Sequence, residues 1–182
     1  MREEREKSDK LLLNVLPRSV AEELKDMGKV EPQEYEAATI MFTDFKNFTR
    51  VVESMGPRDL IIELDQIFEQ FDNIVSKNGL EKLKTIGDAY MCAGGLPRSN
   101  HTHAVDVCMA AMEIQAFMRQ TREIKQQITG EDFWELRLGI HTGSVVAGVV
   151  GNHNFAYDFW GYAVNVAARM ESTSDPGKVN IS

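Results

Sequence analysis

The chain has 182 residues, 43% apolar and 26% charged, which is room for one domain with a real core and a short appendage. Its net charge of −8 argues against long nucleic acid as a partner, but not against a small polyphosphate whose charge is met locally by divalent metals. No signal peptide opens it and no apolar run approaches the roughly 18 residues of a membrane span, so a cytoplasmic location is expected, with any membrane tether in the parent lying outside this sequence.

Residues 1–36 read as a helical linker. A mixed-charge start (Arg2, Glu3, Glu4, Arg5, Glu6, Lys7) leads into Leu11-Leu12-Leu13-Asn14-Val15-Leu16, and Pro17 breaks the run. Val20, Leu24 and Met27 then share a helical face that Gly28 stops. Two readings stand: a dimerising linker from an upstream module, or a helix packed on its own domain. Gly28–Glu36 reads as a charged loop, and the domain proper is expected over 37–182.

Ala38-Thr39-Ile40-Met41-Phe42 is a buried strand candidate that ends at Thr43-Asp44-Phe45. From Pro57 to Asn78 apolar residues recur at helical spacing (Leu60, Ile61, Leu64, Ile67, Phe68, Phe71, Ile74, Val75), with Gly79 beyond the end. Leu80–Thr85 and Ala89–Ala93 form a hairpin about Ile86-Gly87-Asp88. A second helix is expected over His103–Arg122 and a loop over Gln126–Asp132. Trp134–Thr142 reads as a strand, Gly143 as a turn and Val145–Val150 as another strand. Asn152–Trp160 is a polar-aromatic excursion. A third helix covers Tyr162–Glu171, and Val179-Asn180-Ile181 begins a strand.

The order β-α-β-β-α-β is the ferredoxin-like pattern of an α+β domain. In it the third strand lies between the first two and antiparallel to the first. The end of the first strand, at Asp44, and the start of the third, at Asp88, then share one sheet edge. Two close carboxylates repel, so a cation belongs between them. Mg²⁺ takes one or two carboxylates plus phosphate oxygens, and two such ions suit an in-line phosphoryl displacement. The alternative is structural, with Asp44 as a helix cap and Asp88 as a turn residue. Backbone amides over Phe45-Lys46-Asn47-Phe48-Thr49 are a candidate phosphate cradle. Cys92 and Cys108 read as reduced, small hydrophobes.

Four segments carry a resemblance: Phe42-Thr43-Asp44-Phe45-x-x-Phe48-Thr49, Lys84-Thr85-Ile86-Gly87-Asp88-Ala89-Tyr90, Gly139-Ile140-His141-Thr142-Gly143 and Gly161-x-x-Val164-Asn165-x-Ala167-x-Arg169-Met170. Together, and in this order, they resemble the class III nucleotidyl cyclase catalytic domain. The resemblance implies a homodimer with shared active sites. Asp44 and Asp88 of one chain, with Phe45, would hold two divalent metal ions, Mg²⁺ or Mn²⁺. Lys84, Asp158, Asn165 and Arg169 would come from the other chain. Asn165 would orient the ribose, and Arg169 would stabilise charge developing on the phosphates. The resemblance also implies further strands and a triphosphate-contacting lysine, so the domain is expected to be C-terminally incomplete at Ser182. An upstream sensory or regulatory domain is expected in the parent chain.

The base follows from hydrogen bonding. Adenine offers an acceptor at N1 and a donor at its amine, and guanine the reverse at N1 and O6. Lysine only donates and ionised aspartate only accepts. Lys84 with Asp158 therefore matches adenine, whereas family members that use GTP typically carry Glu at the position of Lys84 and Cys or another small residue at that of Asp158. The expected activity is conversion of ATP to cyclic AMP and pyrophosphate. The alternatives are a catalytically silent dimerisation module, a guanylyl cyclase, or a two-metal polymerase-like enzyme. His101-x-His103 and His141 are read as structural or solvated rather than metal ligands. The aromatic run Asn154–Trp160 suggests packing at least as readily as base stacking.

Overall fold

An apolar run without alternation calls for a strand covered on both faces. The run at Ala37–Phe42 is such a strand. The computed structural model describes residues 11–151 and 156–182. The charged start of the linker, Arg2 to Lys7, and Asn154 and Phe155 lie outside the described residues. The described elements are α1 (Arg18–Met27), β1 (Gln33–Lys46), α2 (Phe48–Ser54), α3 (Pro57–Lys77), β2 (Glu81–Ile86), β3 (Ala89–Gly94), α4 (His103–Thr129), β4 (Glu135–Val150), β5 (Ala156–Trp160), α5 (Tyr162–Ser172) and β6 (Val179–Ile181).

The sheet order is β2-β3-β1-β4-β5, with β6 parallel to β4. β3 lies antiparallel between β1 and β2, as the ferredoxin-like reading requires. Helices α3 and α4 cover one face through Met41, Phe45, Phe71, Ile114 and Leu138. On the other face Ala38, Ile40, Val145 and Ala147 pack with Ala163 and Ala167 of α5 and with Leu16, Val20 and Ala21 around α1. Buried Gln115 on α4 donates to the carbonyls of Leu136 and Lys178, which ties the approach to β6 onto β4.

Four local expectations are corrected. Gly143 does not turn the chain, because β4 runs unbroken from Glu135 to Val150. A Cβ on Gly143 would stand 2.8 Å from the Cβ of Ala163, so this glycine serves the close approach of α5. β1 starts at Gln33, inside the expected loop, because Gln33 and Glu34 pair with Ala147 and Val146. Helix α4 continues through the expected loop to Thr129, where Gly130 at φ +74° caps it by bonding the carbonyl of Gln126. Part of the aromatic excursion, Ala156–Trp160, is strand β5, paired with the second half of β4.

Candidate active site

The register brings the two aspartates together. Thr43 pairs with Tyr90, so Asp44 and Asp88 sit just beyond the last shared pair of β1 and β3. The hairpin between β2 and β3 turns on two residues, Gly87 and Asp88, since Ile86 pairs with Ala89. Gly87 has φ +61° and Asp88 a negative φ, the pattern of a type II′ turn that needs glycine first. The Asp88 carboxylate accepts from the backbone N–H of Phe45 and from its own, and lies within hydrogen-bonding reach of the Asp44 carboxyl. Burial and the Asp44 charge push Asp88 up to about 6. Asn47, at φ 58°, then swings the chain into α2. Phe45 turns its ring into the core against Phe48, Phe68 and Trp134, which anchors the strand end.

Arg137 completes this cluster and was not among the expected residues. It lies opposite Asp44 in the β1–β4 register. Its Nη2 donates to Asp44 Oδ2 at 2.6 Å. Its Nε stands 3.0 Å from Oε1 of Glu171, on α5. The sequence held a signal for it: Leu136, Leu138 and Ile140 alternate towards α4, which sends Arg137 and Gly139 to the opposite face. α5 reaches Arg137 because β4 has no side chain at Gly139, where a Cβ would fall 1.9 Å from the backbone nitrogen of Glu171. Burial raises the Glu171 carboxyl above the ordinary range, against the opposing pull of Arg137.

Lys84 and Asp158 also meet, although β2 and β5 are the two ends of the sheet order. The Lys84 ammonium donates to Asp158 Oδ2, and Asp158 Oδ1 accepts from the backbone N–H of Phe159. The two edge strands curl over one apolar cluster that includes Leu83, Tyr157 and Phe159. Asn165 and Arg169 lie one helical turn apart on the exposed face of α5, away from buried Ala163 and Ala167. Their side chains make no ion pair or hydrogen bond to another described residue. The expected site residues thus fall into three groups: Asp44 with Asp88 and Phe45, Lys84 with Asp158, and Asn165 with Arg169.

The other candidates are structural. His103 opens α4 and its Nδ1 lies 2.7 Å from Thr39 Oγ1. His141 bonds Ser182. Both cysteines are free, and burial raises the Cys92 thiol far above its usual range. A cavity of about 500 Å³ beside Lys46, Asn47 and Arg50 contains none of the site residues above.

Asp44 and Asp88 fit a hard divalent cation. They are oxygen donors facing each other, their repulsion is visible in the raised Asp88, and a guanidinium already sits on Asp44 where positive charge is wanted. Among the described residues no group of three or more His, Cys, Asp or Glu is arranged to hold a metal. Two carboxylates leave coordination positions for phosphate oxygens and water, the usual habit of Mg²⁺.

Residues 30–182 match the family described as the adenylate and guanylate cyclase catalytic domain. The chain belongs to this family. It is 42% identical over 180 residues to human guanylyl cyclase C, covering 98% of this chain and 16% of that protein. It is 39% identical over 182 residues to an adenylate cyclase of Mycobacterium bovis, covering all of this chain and 40% of that protein. The chain therefore spans well under half of these relatives. Among solved structures, the adenylyl cyclase CyaB from P. aeruginosa superposes with a TM-score of 0.78 at 28% identity, covering 84% of this chain and 79% of that one. The catalytic core of a rhodopsin-guanylyl cyclase with converted specificity, in complex with ATPαS, gives 0.75 at 36% identity, over 84% and 80%. Relatives of both nucleotide types stand close. No described helix is long and apolar enough to cross a membrane.

Proposed function

We propose that this chain is the catalytic domain of an adenylyl cyclase, a lyase that converts ATP to 3′,5′-cyclic AMP and pyrophosphate. The reaction is in-line attack of the ribose 3′-hydroxyl on the α-phosphorus, at sites shared across a homodimer. The observation that carries the choice of base is the meeting of Lys84 with Asp158. The lysine donates to adenine N1 and the aspartate accepts from the adenine amine, whereas guanine opposes both. Mismatched polar groups in such a site separate substrates by orders of magnitude.

Asp44, Asp88 and the backbone carbonyl of Phe45 would hold two divalent ions, Mg²⁺ or Mn²⁺. Bound there, the ions would supply Lewis acidity that favours the 3′-alkoxide and steadies the triphosphate. Arg137, already on Asp44, would donate to phosphate oxygens. In the partner protomer Asn165 would orient the ribose, and Arg169 would meet charge developing on the phosphates. The dimer is supported by the position of Asn165 and Arg169 on the outward face of α5, and by exposed apolar Ile86, Trp160 and Tyr162, side chains that an interface would cover. In a longer parent, residues 1–36 would connect this domain to an upstream regulatory module.

Product analysis tests the reading. Purified protein is incubated with Mn²⁺ and either ATP or GTP, beside Asp44→Ala. Cyclic AMP from ATP alone, absent in the variant, is the expected result. Cyclic GMP alone would overturn the base assignment. Bound nucleotide without product would favour a catalytically silent cyclase-like module.

A further inference from the structure

Helix α5 has two functional faces. Asn165 and Arg169 lie on its solvent side, while Ala163, Ala167 and Glu171 fall on the side turned to β4. The backbone at Met170 and Glu171 rests directly on Gly139, so the helix cannot shift without disturbing β4. Glu171 therefore reaches Arg137, the partner of Asp44 in its own chain, although its helix would serve the nucleotide through the opposite face.

The contact Glu171 makes is unusual. Arg137 Nε and Glu171 Oε1 are 3.0 Å apart, yet both atoms are buried and neither has a hydrogen-bond partner. The N–H does not point at the oxygen, because the same guanidinium is committed through Nη2 to Asp44. Asp44 Oδ2 thus accepts from a cation at 2.6 Å, and a metal ion drawn to that oxygen competes with the guanidinium for it. A guanidinium leaving Asp44 needs another acceptor, since a buried unpaired charge is costly. Glu171 is already beside it, and turning the guanidinium towards that carboxylate completes the missing hydrogen bond.

We propose that Glu171 is a positioning residue for the metal centre: it receives Arg137 when Asp44 turns to a metal, and so keeps Asp44 available and the guanidinium inside the site. The proposal rests on the metal-dependent cyclase reading above. It makes α5 the element that ties the ribose- and phosphate-contacting residues of one shared site to the carboxylates of the other.

The test reads Mn²⁺ affinity by the electron paramagnetic resonance of the free ion, with 3′-deoxy-ATP present so that no cyclisation occurs. Wild type, Glu171→Gln, Arg137→Ala and the double variant are compared, each first shown to keep its circular dichroism and melting behaviour. Glu171→Gln is expected to weaken Mn²⁺ binding by about tenfold. Because Glu171 acts through Arg137, the double variant should bind Mn²⁺ within about twofold of Arg137→Ala alone. Unchanged affinity in Glu171→Gln overturns the proposal. So does a tenfold loss that persists without Arg137, which would mark a general charge effect. If Glu171→Gln does not fold, Glu171→Asp keeps the charge but withdraws it by one methylene; weakened Mn²⁺ binding is expected, and wild-type affinity would overturn the proposal. Wild-type protein that binds no Mn²⁺ with nucleotide overturns the metal-dependent reading itself, and is distinguishable from Mn²⁺ binding that ignores Glu171.

Discussion

Asp44 and Arg137 stand directly opposite each other in the β1–β4 register and form an ion pair at 2.6 Å, although 93 residues separate them. The pair is only partly exposed, with 27% of the Asp44 and 29% of the Arg137 side chain open to solvent. A cation fixed on a proposed metal ligand, in a site expected to receive a triphosphate, has a double duty. It offsets the carboxylate charge before substrate arrives, and once turned towards Glu171 its remaining N–H groups would be free to donate to phosphate. Arg137→Ala is therefore expected to lower kcat/KM for ATP by about 10²-fold, the loss typical of one charge-assisted donor to a transition state. Steady-state kinetics would check it. Arg137→Lys should recover little, because a point-charge ammonium lacks the planar, multi-donor fork that lets one guanidinium hold a carboxylate and a phosphate in fixed geometry.

The raised Asp88 gives a pH dependence with a definite sign. Its carboxyl moves from the ordinary 3.8 to about 6, so the folded, metal-free protein holds this proton more tightly than the unfolded chain. This group's contribution to stability is fully present below about pH 4 and is lost as pH rises through about 6. Metal binding runs the other way, because the ligand must be ionised. Apparent Mn²⁺ affinity should rise with pH up to about 6 and then level off. Calorimetric melting and Mn²⁺ titration across pH 5 to 8 would show the two opposite trends. Melting with no slope near pH 6, for metal-free protein, would remove the argument.

Much of this arrangement was legible in the sequence, for identifiable reasons. The apolar run ending at Asp44, the helix from Pro57 and the Gly87-Asp88 hairpin are local signals. Once they were joined in ferredoxin-like order, the topology brought the aspartates together. What stayed hidden depended on distant packing. Gly143 looks like a turn locally, and only Ala163 on α5 reveals why a side chain is excluded there. Arg137 needed the register of β1 against β4, which no stretch of sequence states. The contact of Lys84 with Asp158 needed the curl of the whole sheet, since their strands stand at its opposite ends.

That contact makes the base assignment reversible by design. Lys84→Glu alone places a second carboxylate beside that of Asp158, and ATP turnover should fall by about 10²-fold or more. Adding Asp158→Cys removes the repulsion and leaves an acceptor where guanine N1 donates. The double variant is expected to prefer GTP. Competition assays with both nucleotides would measure the ratio of kcat/KM values. A double variant that still prefers ATP would show that the base is read elsewhere.

Glu81 carries a second raised carboxyl, half-buried and away from Asp44 and Asp88. It lies on β2 beside the Leu13–Arg18 segment, and burial alone pushes it from 4.5 up to about 7. Its favourable share of stability is present below about pH 4.5 and is lost as pH rises through about 7. Glu81→Gln should stabilise the protein by about 1 kcal/mol at pH 8, after allowance for its partial exposure, with little effect at pH 5. Thermal melts of both proteins at the two pH values would settle the sign.

Gly139 separates packing from chemistry. A methyl group there would fall 1.9 Å from the backbone nitrogen of Glu171 and 2.4 Å from the carbonyl carbon of Met170. These are backbone atoms, so no rotamer change can relieve the clash and α5 itself must lift off β4. Gly139→Ala is expected to cost about 3 kcal/mol. Gly87→Ala gives a contrasting outcome: nothing lies within 4 Å of its added Cβ, and only the positive φ resists, at about 1 kcal/mol. The consequence for function differs too. Lifting α5 moves Asn165, Arg169 and Glu171 together, so Gly139→Ala should lose ATP turnover even at temperatures where its circular dichroism is native. If the variant folds, melts like wild type and turns over ATP normally, the tight seating of α5 on β4 is not what positions these residues.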